Sequence, residues 1–222
     1  MGHPMKTRMT SRPEAGLNLF EVGVIIAVVA LLAVLLVPWL IESKRKANII
    51  ACNGYLKNVG LAYRVWAGDN GDMNPMGLSV TNGGTMEMVA TGDVVQTFLV
   101  MSNELATPVI LYCPNDSRGQ VRNRFTGLAN SNISYFISAD VTNGDNPQAI
   151  LSGDGNFELG GKPVNPGLLS VGTNDPVGWS ASRHILCGNL VMGDGSVQQV
   201  TSNGLRISFL NANMATNRLA IP

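Results

Sequence analysis

The sequence predicts an α+β protein: a long N-terminal helix, apolar in its first half and amphipathic in its second, packed on an antiparallel β-sheet head with long loops. Three observations carry this expectation. The twenty residues 22–41 hold no charge, and fourteen of them are Val, Ile or Leu. Ile49, Cys52, Leu56, Val59, Tyr63 and Trp66 then recur at spacings of 3, 4, 3, 4 and 3, which place them on one helix face. Beyond residue 67, short strand-like runs sit in a setting rich in Gly, Asn, Asp and Pro, the composition of hairpins and loops.

The composition explains the first half of the helix. Of 222 residues, 45% are hydrophobic and only 14% charged, so the apolar content is ordinary while charge is scarce, and the apolar residues must cluster. A run of twenty spans a bilayer as a helix, which excludes a purely soluble globular enzyme. One carboxylate, Glu21, sits at its rim. At a helix centre in lipid an acid costs about 2.5 to 3.5 kcal/mol, whereas fourteen Val, Ile and Leu residues return about −4 to −8 kcal/mol, so insertion tolerates Glu21 near the interface. An acid kept in lipid ordinarily has a partner and a function. Residues 42–222 make one domain with room for a core. Formal net charge is zero, and no basic patch extends beyond Lys44, Arg45 and Lys46, so nucleic acid is not expected as a main partner. The leader, residues 1–16, carries Lys6, Arg8 and Arg12 against Glu14 and directly precedes the apolar run, whereas a secretory signal is cut after its apolar region.

Taken in order, a helix from about Phe20 to Ala67 would be about 72 Å long at 1.5 Å per residue. Pro38 lacks the amide that would bond to the carbonyl of Val34, so a bend or local loosening is expected there. Gly54 weakens its turn by about 1 kcal/mol relative to alanine. Gly68, Asp69, Asn70, Gly71 and Asp72 stop the helix. Strands are predicted at 97–101, 109–112, 134–139, 149–152, 189–192 and 197–201. Asp194 and Gly195 between the last two form a strong hairpin signal, and a second Asp-Gly stands at Asp154 and Gly155.

Gly16, Leu17 and Glu21 form a glycine, an apolar residue, three variable positions and a glutamate. This resembles the processing motif of the type IV prepilin and pseudopilin family. Pro38 falls at the twenty-second position after Gly16, where pilin helices often carry a proline. Leu17 stands where phenylalanine is commoner, and Asn18 where threonine is. The resemblance implies that a membrane prepilin peptidase cuts after Gly16, that the new amino group of Leu17 is methylated, and that the helix packs into a filament core. There Glu21 would neutralise the amino terminus of a neighbouring Leu17, since each charge alone is costly in an apolar core. Leader and exit segment each offer three basic residues, so orientation rests on the resemblance: a single pass of the inner membrane, amino terminus cytoplasmic, body periplasmic or extracellular. The implied organisation is a cleaved leader at 1–16, a helix at 17–67 with its membrane or filament-core part at 20–41 and an amphipathic part at 42–67, and a β-rich head at 68–222.

A second resemblance lies further on. His184, nine residues, then Asp194 and Gly195 fit the H-X9-DG signature of a group of prepilin-like proteins. Residues 52–62 resemble the group's CxxNLKQIGLA helix, with Gly54 in place of an asparagine, and Cys113, Pro114, Asn115 and Asp116 resemble its CPxD step. Three cysteines allow one disulfide and one thiol. Cys52 and Cys113 belong to the segments similar to the group and are the expected pair, with Cys187 left over; the alternatives are that all three are small buried residues or that Cys187 is a partner.

His184 and Asp194 alone make half a catalytic or metal site, because the only other histidine, His3, lies in the leader and a histidine-based zinc site needs more ligands; the expected reading is that His184 is a hydrogen-bonded structural residue and Asp194 a turn residue. Neither a G-x-S-x-G motif nor a phosphate-cradling glycine loop is present. No enzyme activity and no required cofactor are therefore expected. Calcium is the minor metal candidate, through Asp140, Asp145, Asp154 and Asp194 in oxygen-rich loops. Major pseudopilins of type II secretion bind calcium in such loops, although no EF-hand spacing occurs here, and Asp also populates turns for its own backbone bonds. The expected function is a structural subunit of a type IV pilus-like filament or a type II secretion pseudopilus. Its partners would be other pilin or pseudopilin subunits, the prepilin peptidase and the membrane. The alternative is a membrane-anchored exoplasmic binding or sensing module that does not polymerise.

Overall fold

A computed structural model describes residues 18–222, so Gly16 and Leu17 lie outside the described residues. Helix α1 (Leu19–Asp69) opens on a reciprocal cap. The Asn18 side chain accepts from the Phe20 amide at 3.4 Å, and the Glu21 carboxylate accepts from the Asn18 amide at 3.0 Å, so two otherwise orphaned donors are satisfied. α1 passes through Pro38 without a break and ends at Asp69. There the Asp72 amide donates back to the Ala67 carbonyl at 2.9 Å, and Gly71 and Asp72 take φ of 67° and 62°.

Two units divide the described chain, one reaching Lys44 and the other running from Arg45 to Pro222. In the first, every side chain from Leu19 to Ile41 is exposed, and α1 is long and apolar enough to cross a membrane. The second is a body to which the later part of α1 belongs.

In the body, the stretch after α1 is helical. Short helices α2 (Met86–Val89), α3 (Val95–Val100) and α4 (Ser102–Leu105) are followed by a 3₁₀ turn, Pro108–Leu111. The strands expected at 97–101 and 109–112 are therefore absent. Val94, Phe98, Met101 and Leu105, at spacings of 4, 3 and 4 across α3 and α4, are buried, and the Asp93 carboxylate accepts from the Val95 amide at 2.8 Å. At 109–112, Pro108 presets the turn and the Thr107 hydroxyl accepts from the Val109 amide at 3.3 Å.

Nine strands follow: β1 (Tyr135–Ser138), β2 (Ile150–Asp154), β3 (Phe157–Leu159), β4 (Lys162–Pro163), β5 (Gly167–Gly172), β6 (Val177–Trp179), β7 (Cys187–Met192), β8 (Val197–Thr201) and β9 (Thr216–Ile221), with α5 (Ser202–Asn211) before the last. Six form an antiparallel sheet in the order β5-β9-β1-β2-β7-β8, and β4-β3-β6 form a smaller one. The expected runs at 134–139, 149–152, 189–192 and 197–201 appear as β1, β2, β7 and β8.

Both faces of the large sheet are covered, which alternate side chains record. Tyr135 and Ile137 join Leu56, Val59, Tyr63 and Trp66 of α1 in one core, together with Phe98 and Met101. Phe136, Leu190 and Met192 join Phe157, Trp179, Leu205 and Phe209 in a second. Phe157 meets Phe136, Trp179 and Phe209 edge to face, with centroids 5.9 to 6.1 Å apart.

The β7-β8 hairpin docks directly on α1. A Cβ on Gly60 would lie 2.6 Å from the Gly195 carbonyl oxygen, so only glycine admits this approach. Gly195 itself has φ of 80°, and Arg64 donates to the Asp194 carbonyl at 2.6 Å.

Candidate functional site, a buried cysteine, histidine and aspartate cluster

Four side chains from separate parts of the body converge: Cys52 from α1, Cys113 from the loop after the 3₁₀ turn, Asp154 at the end of β2, and His184 just before β7. All are buried, and one ligand atom from each lies within 4.8 Å of the others. Cys52 and Cys113 form a disulfide with Cα atoms 5.5 Å apart, which ties the helix to the loop that precedes β1. Cys187 is the free cysteine.

His184 turns one nitrogen toward both neighbours. Nε2 is 3.4 Å from Cys113 Sγ and 3.5 Å from Asp154 Oδ2. The backbone around it is unusual, for Arg183, Ile185 and Leu186 all have left-handed φ, of 66°, 50° and 59°. A β-branched residue in that region costs on the order of 1 to 3 kcal/mol, held by the surroundings. The bend buries His184 while leaving Ile185 and Leu186 exposed.

Asp154 is held by Asn189, whose amide and side-chain nitrogen donate to Oδ2 at 2.7 and 2.8 Å. Asn189 in turn accepts from Asn53 of α1 at 3.3 Å. Asp154 Oδ1 and His184 Nδ1 are buried without a hydrogen-bond partner. Nearby Tyr135 is buried too, and burial first, then the Asp154 charge, push its phenol well above the ordinary range.

Beside this cluster lies a buried ion pair. Arg183 meets Asp116 at 2.7 Å and donates to the Ser134 carbonyl at 2.7 Å, while Ser134 Oγ donates to Asp116 at 2.7 Å and accepts from the Cys113 amide. Burial alone would raise the Asp116 carboxyl; Arg183, Arg118 and the Ser134 bond outweigh it and hold the carboxyl below its usual range. Burial also lowers Arg183, opposed by the Asp116 charge. Cys187 donates its thiol to the His184 carbonyl at 2.7 Å, and burial raises its pKa, which keeps it a thiol.

Asp194 lies elsewhere. It is exposed at the β7-β8 turn, where it accepts from the Ser196 amide at 2.8 Å; hydrogen bonding from the Ser196 side chain first, then from its amide, lowers the Asp194 pKa. The histidine and the aspartate of the H-X9-DG spacing thus serve different places, one a buried cluster and the other a turn seated on α1. Asp140 pairs with Arg218 at 2.5 Å, and Asp145 accepts from the Asn143 side chain at 2.6 Å. Asp154 is the member of the four calcium candidates that enters the cluster with His184. Glu21 and Pro38 lie in α1.

Sequence reasoning gave Asp154 no histidine partner and assigned Arg183 and Asn189 no role. The signal for Asp116 was present in the CPxD step; for Asn189, thirty-five residues from Asp154, no local signal existed. Chemically, the oxidised cluster is a covalent and hydrogen-bonded junction between α1 and the sheet. Comparison with protein-family models, curated proteins and solved structures finds no match to this chain.

Proposed function

We propose that the chain is a structural subunit of a type IV pilus-like filament or type II secretion pseudopilus, inserted in the inner membrane and cut after Gly16 by a prepilin peptidase. The observation that supports it most is the first part of α1: its apolar side chains from Leu19 to Ile41 are all exposed, and a single carboxylate stands at its start. Lipid buries such a surface first, and neighbouring copies of the helix bury it in a filament. Within the described chain the Glu21 carboxylate accepts from the Asn18 amide, a neutral donor. The charged amino group of a neighbouring Leu17 is a stronger donor, by about twofold, and is the partner that such a buried acid calls for. The body, braced on α1 by the Cys52–Cys113 bond and the hairpin contact, is the part that faces outward.

Intact mass and amino-terminal sequencing of the membrane-extracted protein, with and without co-expressed prepilin peptidase, test the reading. A start at methylated Leu17 only with the peptidase supports it. An uncut amino terminus in both samples overturns it and makes an anchored, non-polymerising binding module the better account.

A further inference from the structure

We propose that the chain with Cys52 and Cys113 reduced binds one zinc-type divalent cation through both sulfurs, His184 Nε2 and the Asp154 carboxylate, and that formation of the disulfide expels the ion. This inference does not rest on the filament reading. Geometry comes first. Zinc bonds of about 2.3 Å to sulfur and about 2.0 to 2.2 Å to nitrogen and oxygen put tetrahedral ligand atoms roughly 3.3 to 3.8 Å apart. The 3.4 Å separation of His184 Nε2 from Cys113 Sγ and its 3.5 Å separation from Asp154 Oδ2 fall in that range. All four ligand atoms lie within 4.8 Å of one another, so once reduction lets the bonded sulfurs separate to about 3.8 Å, small side-chain movements complete the shell.

Donor chemistry selects the ion. Two thiolates and an imidazole favour a borderline-soft cation, and with a single carboxylate the set lacks the six to eight oxygens that calcium takes. Four protein ligands, all buried, make a closed structural site and leave no position for substrate. The carboxylate ligand has the outer support that such sites carry, whereas His184 Nδ1 has no acceptor among the described residues. Asn189 orients Asp154 with two hydrogen bonds. In the oxidised cluster Asp154 Oδ1 has no hydrogen-bond partner, a loss that coordination removes.

The exchange balances. Binding to the dithiol displaces two thiol protons. An external disulfide of the thiol–disulfide oxidoreductase class then accepts two electrons from the two cysteine thiolates and two protons from solvent. It leaves as a dithiol; the Cys52–Cys113 bond forms and the cation departs. The ion would thus hold α1 against the sheet in a chain that has not yet met its oxidant.

The full chain in detergent, reduced with a phosphine and freed of oxygen, is titrated with cobalt(II) as an optical probe and then with zinc. One cobalt per chain is expected, with thiolate-to-cobalt charge-transfer bands and tetrahedral d–d bands that zinc bleaches, and with no such bands in the oxidised chain. Asp154→Asn and His184→Gln should each weaken zinc binding by about a hundredfold or more, because even second-shell losses cost 10- to 100-fold. Cys187→Ser should leave binding unchanged. Absence of thiolate bands in the reduced chain, equal binding by the oxidised chain, or binding lost with Cys187→Ser but kept with Asp154→Asn would each overturn the proposal. Reduced against oxidised wild type needs no substitution, so a variant that fails to fold leaves the test standing.

Discussion

Gly54 and Gly60 lie six residues apart in α1, and the same change to alanine is expected to act in opposite directions. At Gly54 a Cβ meets nothing within 4 Å, so Gly54→Ala recovers only the helix propensity, about 1 kcal/mol. At Gly60 the Cβ falls 2.6 Å from the Gly195 carbonyl oxygen and 3.0 Å from Val191 Cγ1. The first of these neighbours is backbone in a tight hairpin and does not swing aside as a long side chain does. Overpacking costs about 1 to 3 kcal/mol, and a clash with backbone belongs to the upper part of that range, about 2 to 3 kcal/mol; the propensity gain of about 1 kcal/mol leaves a net loss of about 1 to 2 kcal/mol. The two variants should therefore differ by about 2 to 3 kcal/mol. With a urea slope of about 2 kcal/mol/M their midpoints separate by roughly 1 to 1.5 M. Equilibrium urea unfolding of the oxidised full chain in detergent, followed by far-UV circular dichroism, reads this directly. A Gly60→Ala midpoint at or above that of wild type would refute the close docking of the β7-β8 hairpin on α1.

Reduction of Cys52–Cys113 in chelated buffer should destabilise the body by about 4 kcal/mol, the chain-entropy value for a 61-residue separation, read as a shift in urea midpoint; no shift would mean that the junction is held without it. Asp116→Asn strands Arg183 in a buried site and should cost about 3 kcal/mol or more at neutral pH. Because the folded Asp116 pKa is lowered, its contribution is complete above the unfolded value near 3.9 and drains away as pH falls toward the folded value. Wild type should thus lose stability below about pH 4 faster than the asparagine variant, in urea midpoints measured across that range. On the proposed filament reading, Glu21→Gln keeps an acceptor for the Asn18 amide but removes the charge, so peptidase cutting should persist while the protein is lost from any sheared filaments; filaments in normal yield would dissociate Glu21 from assembly.

Much of the architecture was legible locally. The stripe from Cys52 to Trp66 is a helix face because its spacing matches the turn, and β7 and β8 were marked by the Asp-Gly turn between them. The expected strand at 97–101 failed for a physical reason: an apolar run of four to six residues satisfies both periods, and Val94 and Leu105, outside the run, decide for the helix. β5 and β9 carried no strong signal because each is completed by the other. Thr216, Asn217 and Arg218 become strand by pairing with Gly172, Val171 and Ser170, in that order.

The amino-acid sequence by itself determined the apolar segment with its acid, the amphipathic continuation and the hairpin, since each is a matter of period, charge or turn chemistry within a few residues. Tertiary structure alone decided the partner of His184. Nothing near His184 in the chain names Asp154, which receives the ring because β2 and β7 are neighbours in the sheet and their ends meet over the Cys52–Cys113 bond. Sequence spacing measures distance along the chain, and a buried cluster is assembled by strand pairing, which brings together residues thirty to a hundred and thirty positions apart.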